Sequence, residues 1–334
     1  MRRLRRRALA LLFACIAALA FVAAAWAGNG GFAPKTPESP NAVGINNSYK
    51  LVALFTGIIF VLVEGALVWF VFKYRRRGRA RTAEGPQVHG ATRLELIWTA
   101  APVVILAAIA AFVFYELPGI KNVPEAKAQG GPLTIRVDGH QFYWQFTYPN
   151  GAVSIGELHV PAHRVVKVDI HSADVAHSWW IPQLGGKFDA IPGVTNHTWF
   201  TAQRAGTFDG QCGEFCGVYH AEMAARVVAG SVSSYTSFVA SQRRPLVLGA
   251  QEWSGVCAKC HGFTGKGGYG PNIQSNTLLV QRAGLTRLLF EGQNTIAPVS
   301  NYMPPVGRGW NASQINALIA YMKTHVYKPT TSGG

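Results

Sequence analysis

Within twelve residues the chain sets out Cys212, Glu214, Cys216, His220 and Met223 in the pattern C-x-E-x-C-x3-H-x2-M. Thiolate and thioether sulfur are soft ligands that select copper, and imidazole suits the same metal. A single electron-transfer copper needs one Cys, two His and a weak axial Met. This stretch holds one thiolate more than that. A second thiolate four residues from the first is what a two-copper centre with bridging sulfurs requires. A second His is then needed, and His177, in Asp174-Val175-Ala176-His177-Ser178-Trp179-Trp180, is the best upstream candidate. The rival reading is a disulfide between Cys212 and Cys216, as favoured in oxidising compartments. The His and Met that follow at fixed spacing argue against it.

A second constellation follows at Cys257-Ala258-Lys259-Cys260-His261. C-x-x-C-H is the attachment signature of c-type haem. The two thiols form thioethers to the haem vinyl groups and the adjacent His ligates iron. A Met as second axial ligand gives an electron carrier of raised potential. Met303, in the proline-rich Tyr302-Met303-Pro304-Pro305, is the expected ligand. Met322 competes, but its surroundings, Ile315 to Tyr321, read as an apolar helix that would bury it as core.

The copper motif resembles the dinuclear copper (CuA) loop of cytochrome c oxidase subunit II. The flanking Ser172–Trp180 and Lys187-Phe188-Asp189-Ala190-Ile191-Pro192-Gly193 resemble that family as well. The resemblance runs from about residue 45 to 232. It implies that Cys212 and Cys216 bridge the coppers and that His177 and His220 each cap one. Met223 and the Glu214 carbonyl would complete the two coordination spheres. The Glu214 carboxylate matches a family ligand to magnesium at the boundary with subunit I. Glu95, before Leu96-Ile97-Trp98-Thr99, is similar to a residue at the mouth of a proton-uptake path into subunit I. The family carries Trp where Phe142 stands, and there takes electrons from a separate cytochrome c. This chain departs from that pattern, leaving Tyr143 and Trp144 as substitutes. Residues 249–329 resemble a small class I cytochrome c, with Gly270-Pro271-Asn272-Ile273 matching the loop beside the haem.

The elements that must position these groups follow from composition and order. Of the 334 residues, 49% are hydrophobic and only 14% charged, which leans towards a membrane-attached chain. The net charge of +15 does not point to nucleic acid. Eleven basic residues lie in two clusters, Arg2–Arg7 and Lys73–Arg81, and without them 20 basic residues face 16 acidic ones. Both clusters abut apolar runs and read as topology signals. Residues 1–27 read as a secretory signal ending at Ala25-Trp26-Ala27, with an uncleaved anchor as the alternative. The Leu12–Cys15 stretch is a poor lipoprotein box. Residues 28–49 form an extracytoplasmic segment, with 28–48 read as an exposed loop. Residues 50–117 form a transmembrane hairpin. Its spans run from about Lys50 to Tyr74 and from about Leu94 to Leu117, joined by a cytoplasmic basic loop, 75–93. Glu64 lies deep in the first span and is read as protonated or paired at a subunit interface.

Residues 132–232 alternate apolar and polar positions in short runs, with a turn at Pro149-Asn150-Gly151. They read as an all-β, cupredoxin-like sandwich in which the copper loop joins two late strands and His177 comes from an earlier connection. In Phe142–Tyr148, period two puts Phe142, Trp144 and Phe146 on one face and Tyr143 on the other. A linker, 233–248, leads to the all-α cytochrome c domain, 249–329. That segment holds seven basic and two acidic residues, against six basic and eight acidic in 132–232. Opposite charge and a tether favour docking of the haem domain on the copper domain.

The expectation is subunit II of a bacterial haem-copper cytochrome c oxidase in the plasma membrane, with both redox domains on the extracytoplasmic side. Its partners would be subunits I and III and an upstream donor, cytochrome c or another. Electrons would pass from its own haem c through the copper pair to subunit I, where oxygen is reduced to water with proton translocation. The competing readings are a membrane-anchored copper metallochaperone, a quinol-oxidase subunit II and a stand-alone periplasmic electron-transfer protein. The first needs neither Met223 nor a haem site, and the second lacks the copper ligands.

Overall fold

The computed structural model describes residues 34–75, 85, 87, 89–293 and 302–329. The expected leader 1–27, with Cys15, and Arg76, Arg77, Arg79 and Arg81 of the basic loop lie outside the described residues. The chain divides into two units, Val43–Lys121 and the remainder.

The smaller unit is formed by two helices, α1 (Pro40–Tyr74) and α2 (Thr92–Lys121). Both are long and apolar enough to cross a membrane. At 35 and 30 residues, they rise about 52 and 45 Å, more than the roughly 30 Å of a bilayer's hydrocarbon core. Their Phe, Leu, Ile and Val side chains are exposed on all sides, Phe60, Leu62, Val104 and Phe114 among them. A helix apolar all round requires lipid or protein around it. Pro102 and Pro118 lie inside α2, as membrane helices tolerate. The first helix starts ten residues before the expected span. The loop reading of 28–48 is therefore corrected over 40–48. Pro40 misled it: proline at a first helical position is preset for the helix and gives up no needed N–H.

The larger unit begins with a ten-stranded sandwich. One sheet has the order β3 (Val153–Ile155), β2 (Tyr143–Thr147), β1 (Leu133–His140), β5 (Val166–Ser172), β8 (Asn196–Phe200). The other runs β4 (Glu157–Pro161), β10 (Ala224–Gly230), β9 (Gly206–Cys212), β6 (His177–Trp180), β7 (Phe188–Ala190). The pairs β1–β5 and β4–β10 are parallel and the rest antiparallel. Ile135, Val137, Trp144 and Phe146 of the first sheet meet Leu158, Phe208 and Val227 of the second in the core. Ser39, Asn41 and Ala42 are also buried in this unit, and Asn41 Nδ2 donates to the Trp199 carbonyl.

The stretch read as a linker is largely helical. The helix α3 (Val232–Ser241) is capped by Ser231 and lies on the sandwich, with Phe238 stacked on His159 at 3.5 Å. Next, α4 (Pro245–Glu252) runs through one π-helical turn, Trp253–Cys257, into α5 (Ala258–His261). Two longer helices follow, α6 (Arg282–Glu291) and α7 (Ala312–His325), the latter started by an Asn311/Gln314 capping box. Helices α4 and α7 cross at Gly249, where a Cβ would lie 2.1 Å from the Ala317 carbonyl oxygen. Only glycine permits that approach.

These helices and the sandwich share a core. Strand β2 is buried on both faces: Trp144 and Phe146 point into the sandwich, and Tyr143 points out of it. Tyr143 joins Val153 and Ile155 in a second apolar cluster with Leu248, Trp253, Leu289, Trp310 and Leu318. The period-two reading of the aromatic run thus holds, but its outer face meets protein. Trp310 Nε1 donates to the Tyr143 hydroxyl at 2.8 Å, which itself donates to the Val306 carbonyl. Gln314 Nε2 donates to Gln145 Oε1 at 2.8 Å. Docking therefore rests on packing and buried hydrogen bonds more than on net charge.

Candidate metal centre

Strand β9 ends at Cys212 and β10 begins at Ala224. The loop between them is pinched at its base by the Cys212 N–H donating to the Met223 carbonyl at 2.9 Å. A 3-10 turn, His220–Glu222, folds the far arm back. Strand β6 pairs with β9, Trp179 opposite Cys212, so His177 arrives beside the loop. His177 is the first residue of β6 rather than part of a connection.

The donor atoms converge. His177 Nδ1 lies 3.9 Å from Cys212 Sγ, and His220 Nδ1 lies 3.5 Å from Cys216 Sγ. Met223 Sδ is 3.8 Å from Cys216 Sγ, and the Glu214 carbonyl oxygen is 3.2 Å from Cys212 Sγ. One donor atom each from His177, Cys212 and Cys216 lies within 4.8 Å of the other two. Cys212, Cys216, Met223 and His177 are buried, while the Glu214 and Phe215 side chains are exposed. The set divides naturally into two halves, each with an imidazole, around a shared pair of sulfurs. The hydrogen bond between the two thiols pulls Cys212 well below the usual thiol range and pushes Cys216 up.

Asp174 is the residue that the sequence reading passed over. Its Oδ1 accepts from His177 Nε2 at 2.8 Å and its Oδ2 from the Gln141 N–H at 2.7 Å. With Nε2 protonated towards Asp174, Nδ1 is left as the metal-facing lone pair. Burial is the largest influence on both groups and opposes their charge, but their mutual hydrogen bond, the Gln141 and Val175 N–H bonds to Asp174 and the nearby Cys212 together outweigh it, lowering Asp174 and raising His177. An acid three residues before a candidate His was the only signal. Gly139 completes the setting: a Cβ there would lie 2.9 Å from His177 Cδ2.

A cavity of about 560 Å³ opens beside this loop. Cys257, Cys260, His261 and Met303 all line it, with Leu278, Leu279, Leu285 and Leu289 among the apolar walls. His261 Nδ1 donates to the Pro271 carbonyl at 2.9 Å, leaving Nε2 as the free donor atom. Met303 is held by paired main-chain bonds to Gln293, each 2.8 Å. Met322 also reaches the cavity but is buried within α7. An apolar pocket with two thiols, an imidazole and a thioether fits a covalently attached haem. Part of its wall comes from the sandwich, through Gln141, Phe142 and Tyr219. Lys259, between the two cysteines, donates to the Phe142 carbonyl at 2.8 Å and the Glu222 carbonyl at 3.0 Å.

The remaining sequence candidates lie elsewhere. Glu95 sits in the first turn of α2, where its carboxylate accepts the Ala91 N–H at 3.0 Å. Glu64 is exposed midway along α1.

Comparison with known proteins decides the family. Residues 27–115 match the cytochrome c oxidase subunit II transmembrane domain and 152–231 its periplasmic domain. Residues 246–322 match the family described as cytochrome c oxidase, cbb3-type, subunit III. Cytochrome c oxidase subunit 2 of Alkalihalophilus pseudofirmus is 32% identical over 248 residues, spanning 69% of this chain and 70% of its own. The chain belongs to the cytochrome c oxidase subunit II family. Quinol oxidase subunit 2 of Bacillus subtilis is 29% identical over 194 residues, with 58% of this chain and 59% of the relative covered. Among solved structures, the periplasmic domain of subunit II of cytochrome oxidase of Bradyrhizobium japonicum is 34% identical and covers 36% of this chain and 97% of its own, with a TM-score of 0.34.

This subunit II is thus part of a haem-copper terminal oxidase and a membrane protein with two spanning helices and a periplasmic domain. A fused cytochrome c domain follows, and the role of the whole is electron transfer. Its periplasmic domain implies a CuA centre and its C-terminal domain a haem c. The converging donors suit the first and the lined cavity the second.

Proposed function

We propose that electrons enter this subunit II at its own haem c, pass to the dinuclear copper and leave to subunit I, where oxygen is reduced to water with proton translocation. The observation that carries this reading is the shared wall. Tyr219, within the copper loop, and Phe142, whose ring packs on it, line the cavity that holds the C-x-x-C-H turn. The two groups, when bound, supply reversible one-electron chemistry. The residues that would hold them belong to one compact unit of the chain. His177, Cys212, Cys216, His220, Met223 and the Glu214 carbonyl hold the coppers. Cys257 and Cys260 anchor the haem, with His261 and Met303 as its axial ligands. Met303 is favoured over Met322 because a loop residue can be aimed at iron without unpacking a helix.

The exposed side of the copper loop, with Glu214, Phe215 and Val218, is proposed to face subunit I. The Glu214 carboxylate is the candidate magnesium ligand there. Glu95 is proposed at the mouth of a proton path into subunit I. The external donor, cytochrome c or another carrier, would meet the haem domain, because Phe142 is covered. Metal and haem analysis of the purified chain tests the core of this reading. Two coppers and one covalent haem per chain are expected, with an EPR signal of one electron shared by two coppers. A mononuclear signal at full loading refutes it. For Glu95, unchanged turnover and proton uptake in Glu95→Gln would remove the assignment.

A further inference from the structure

The segment that carries Met303 is held from two sides. Met303 lines the haem cavity, and so does Val306 three residues on. Pro304 and Pro305 stand between them. Each proline ring locks its own φ at about −65°, so Met303 and Val306 move nearly as one piece. The peptide plane that joins Val306 to Gly307 is bonded at both edges. Its N–H donates to the Leu289 carbonyl of α6 at 2.9 Å. Its carbonyl accepts from the Tyr143 hydroxyl of β2. The first bond lies within the helical domain, and the second comes from the sandwich. One such bond leaves the plane free to rock about it, whereas two fix its tilt. Tyr143 is itself a fixed post, only 2% exposed. Its ring lies flat on His140, with centroids 4.6 Å apart and planes 5° apart, and Trp310 meets it edge-on at 6.4 Å. Trp310 Nε1 donates to the hydroxyl at 2.8 Å, which leaves the hydroxyl proton for Val306.

We propose that Tyr143 is a positioning residue for the haem: by holding the Val306 carbonyl it aims Met303 at the iron, so that the haem's sixth ligand depends on the copper domain. This rests on the function proposed above, in which Met303 is that ligand. Tyr143 is not among the described residues that line the cavity, and it acts through the Met303–Val306 segment alone. Methionine opposite histidine gives a haem a raised potential. Loss of the Tyr143 bond frees the segment, weakens the hold of the sulfur on iron and lowers that potential. The haem then has its working potential only while the sandwich is in place beside it.

The test uses the full chain with haem attached. Tyr143→Phe keeps the ring and removes only the oxygen. Its ferric haem should show a weaker sulfur-to-iron charge-transfer band in the far red, and redox titration should give a lower potential than wild type. Its ferrous haem should bind carbon monoxide, which competes for the place of Met303, several-fold more tightly. The copper EPR signal should be unchanged. A Tyr143→Phe chain with wild-type band, potential and carbon monoxide affinity overturns the proposal. Trp310→Phe removes a hydrogen bond to the same hydroxyl but leaves the one to Val306, so it should keep the band. Equal loss in both variants also overturns the proposal, because general loosening of the core would then account for it. Should Tyr143→Phe fail to load haem, Pro304→Ala combined with Pro305→Ala decides. That variant keeps both bonds to the peptide plane but frees two φ angles, and its band should weaken; a wild-type band there overturns the proposal. A band that survives Met303→Leu refutes the underlying choice of ligand instead.

Discussion

Replacing Asp174 with Asn tests how much of the copper site lies in residues that do not touch metal. Asp174 accepts three hydrogen bonds: from His177 Nε2 at 2.8 Å, the Gln141 N–H at 2.7 Å and the Val175 N–H at 2.6 Å. An amide can serve only some of them. With its oxygen kept towards His177 and Val175, its NH2 faces the Gln141 N–H and leaves that donor unpaired. With the amide turned over, Gln141 is satisfied, but the NH2 faces His177 and Val175. The proton on His177 would then move to Nδ1, the atom that must face the metal. Either way at least one N–H loses its acceptor, and because Gln141 is half-buried and Val175 exposed, the cost to the fold stays below the roughly 1–3 kcal/mol of a fully buried donor. Outer-shell replacements at metal-bound histidines lower affinity about 10–100-fold, or roughly 1.4–2.8 kcal/mol. Copper titration against a competing chelator reads the second figure, and thermal unfolding of the copper-free chain reads the first. An Asp174→Asn chain with wild-type copper affinity and wild-type melting temperature would refute the reasoning.

Three further outcomes are expected. Gly139→Ala puts a Cβ 2.9 Å from His177 Cδ2, so copper content by atomic absorption should fall while covalent haem, read by its absorbance, stays at one per chain. Burial lifts the Glu252 carboxyl well above its usual 4.5, with Gln314 opposing in part. The unfolded chain releases this proton above that value and the folded chain keeps it, so stability falls as pH rises. Glu252→Gln should therefore melt higher than wild type at about pH 8 and match it at about pH 4. Ending the chain after residue 231 uncovers Tyr143, Val153 and Ile155, each at most 5% exposed in the intact protein. That shortened chain should bind a hydrophobic dye and self-associate in light scattering, as uncovered apolar patches do.

The chemistry was legible because its spacing is local. Cys212 to Met223 and Cys257 to His261 each lie within one loop or turn, so ligand types and intervals survive in the linear order. The spanning helices were legible from their apolar runs, and the sandwich from alternation, down to which side of β2 Tyr143 takes. What occupies that outer side was not legible. Its partners Val306 and Trp310 stand 163 and 167 residues away. The same holds for Lys259, whose bond to the Phe142 carbonyl spans 117 residues. Asp174 carries no motif of its own, since an acid near a histidine is common on surfaces. The first ten residues of α1 were hidden by Pro40, Gly44, Asn46 and Asn47, whose turn-forming bias gave way to continuity with the apolar run behind them. The expected linker failed for a related reason: polar Ser231–Ser241 forms a helix because Tyr235 and Phe238 pack on Tyr148.

Strand β2 serves two interiors at once, and this bears on how the haem domain was joined. Because α3 already lies on the sandwich, the join to α4 is the short step from Gln242 to Arg244. Extra residues there would cost little, since doubling a flexible loop adds only about 0.6 kcal/mol. They would also change little, because contact surfaces rather than string length fix where the second domain sits. Spacers grafted at that step should leave the interval between the two redox centres as it is. A sandwich from a relative with a polar outer side at 143, 153 and 155 could not simply be stitched to this haem domain, however well the seam were designed.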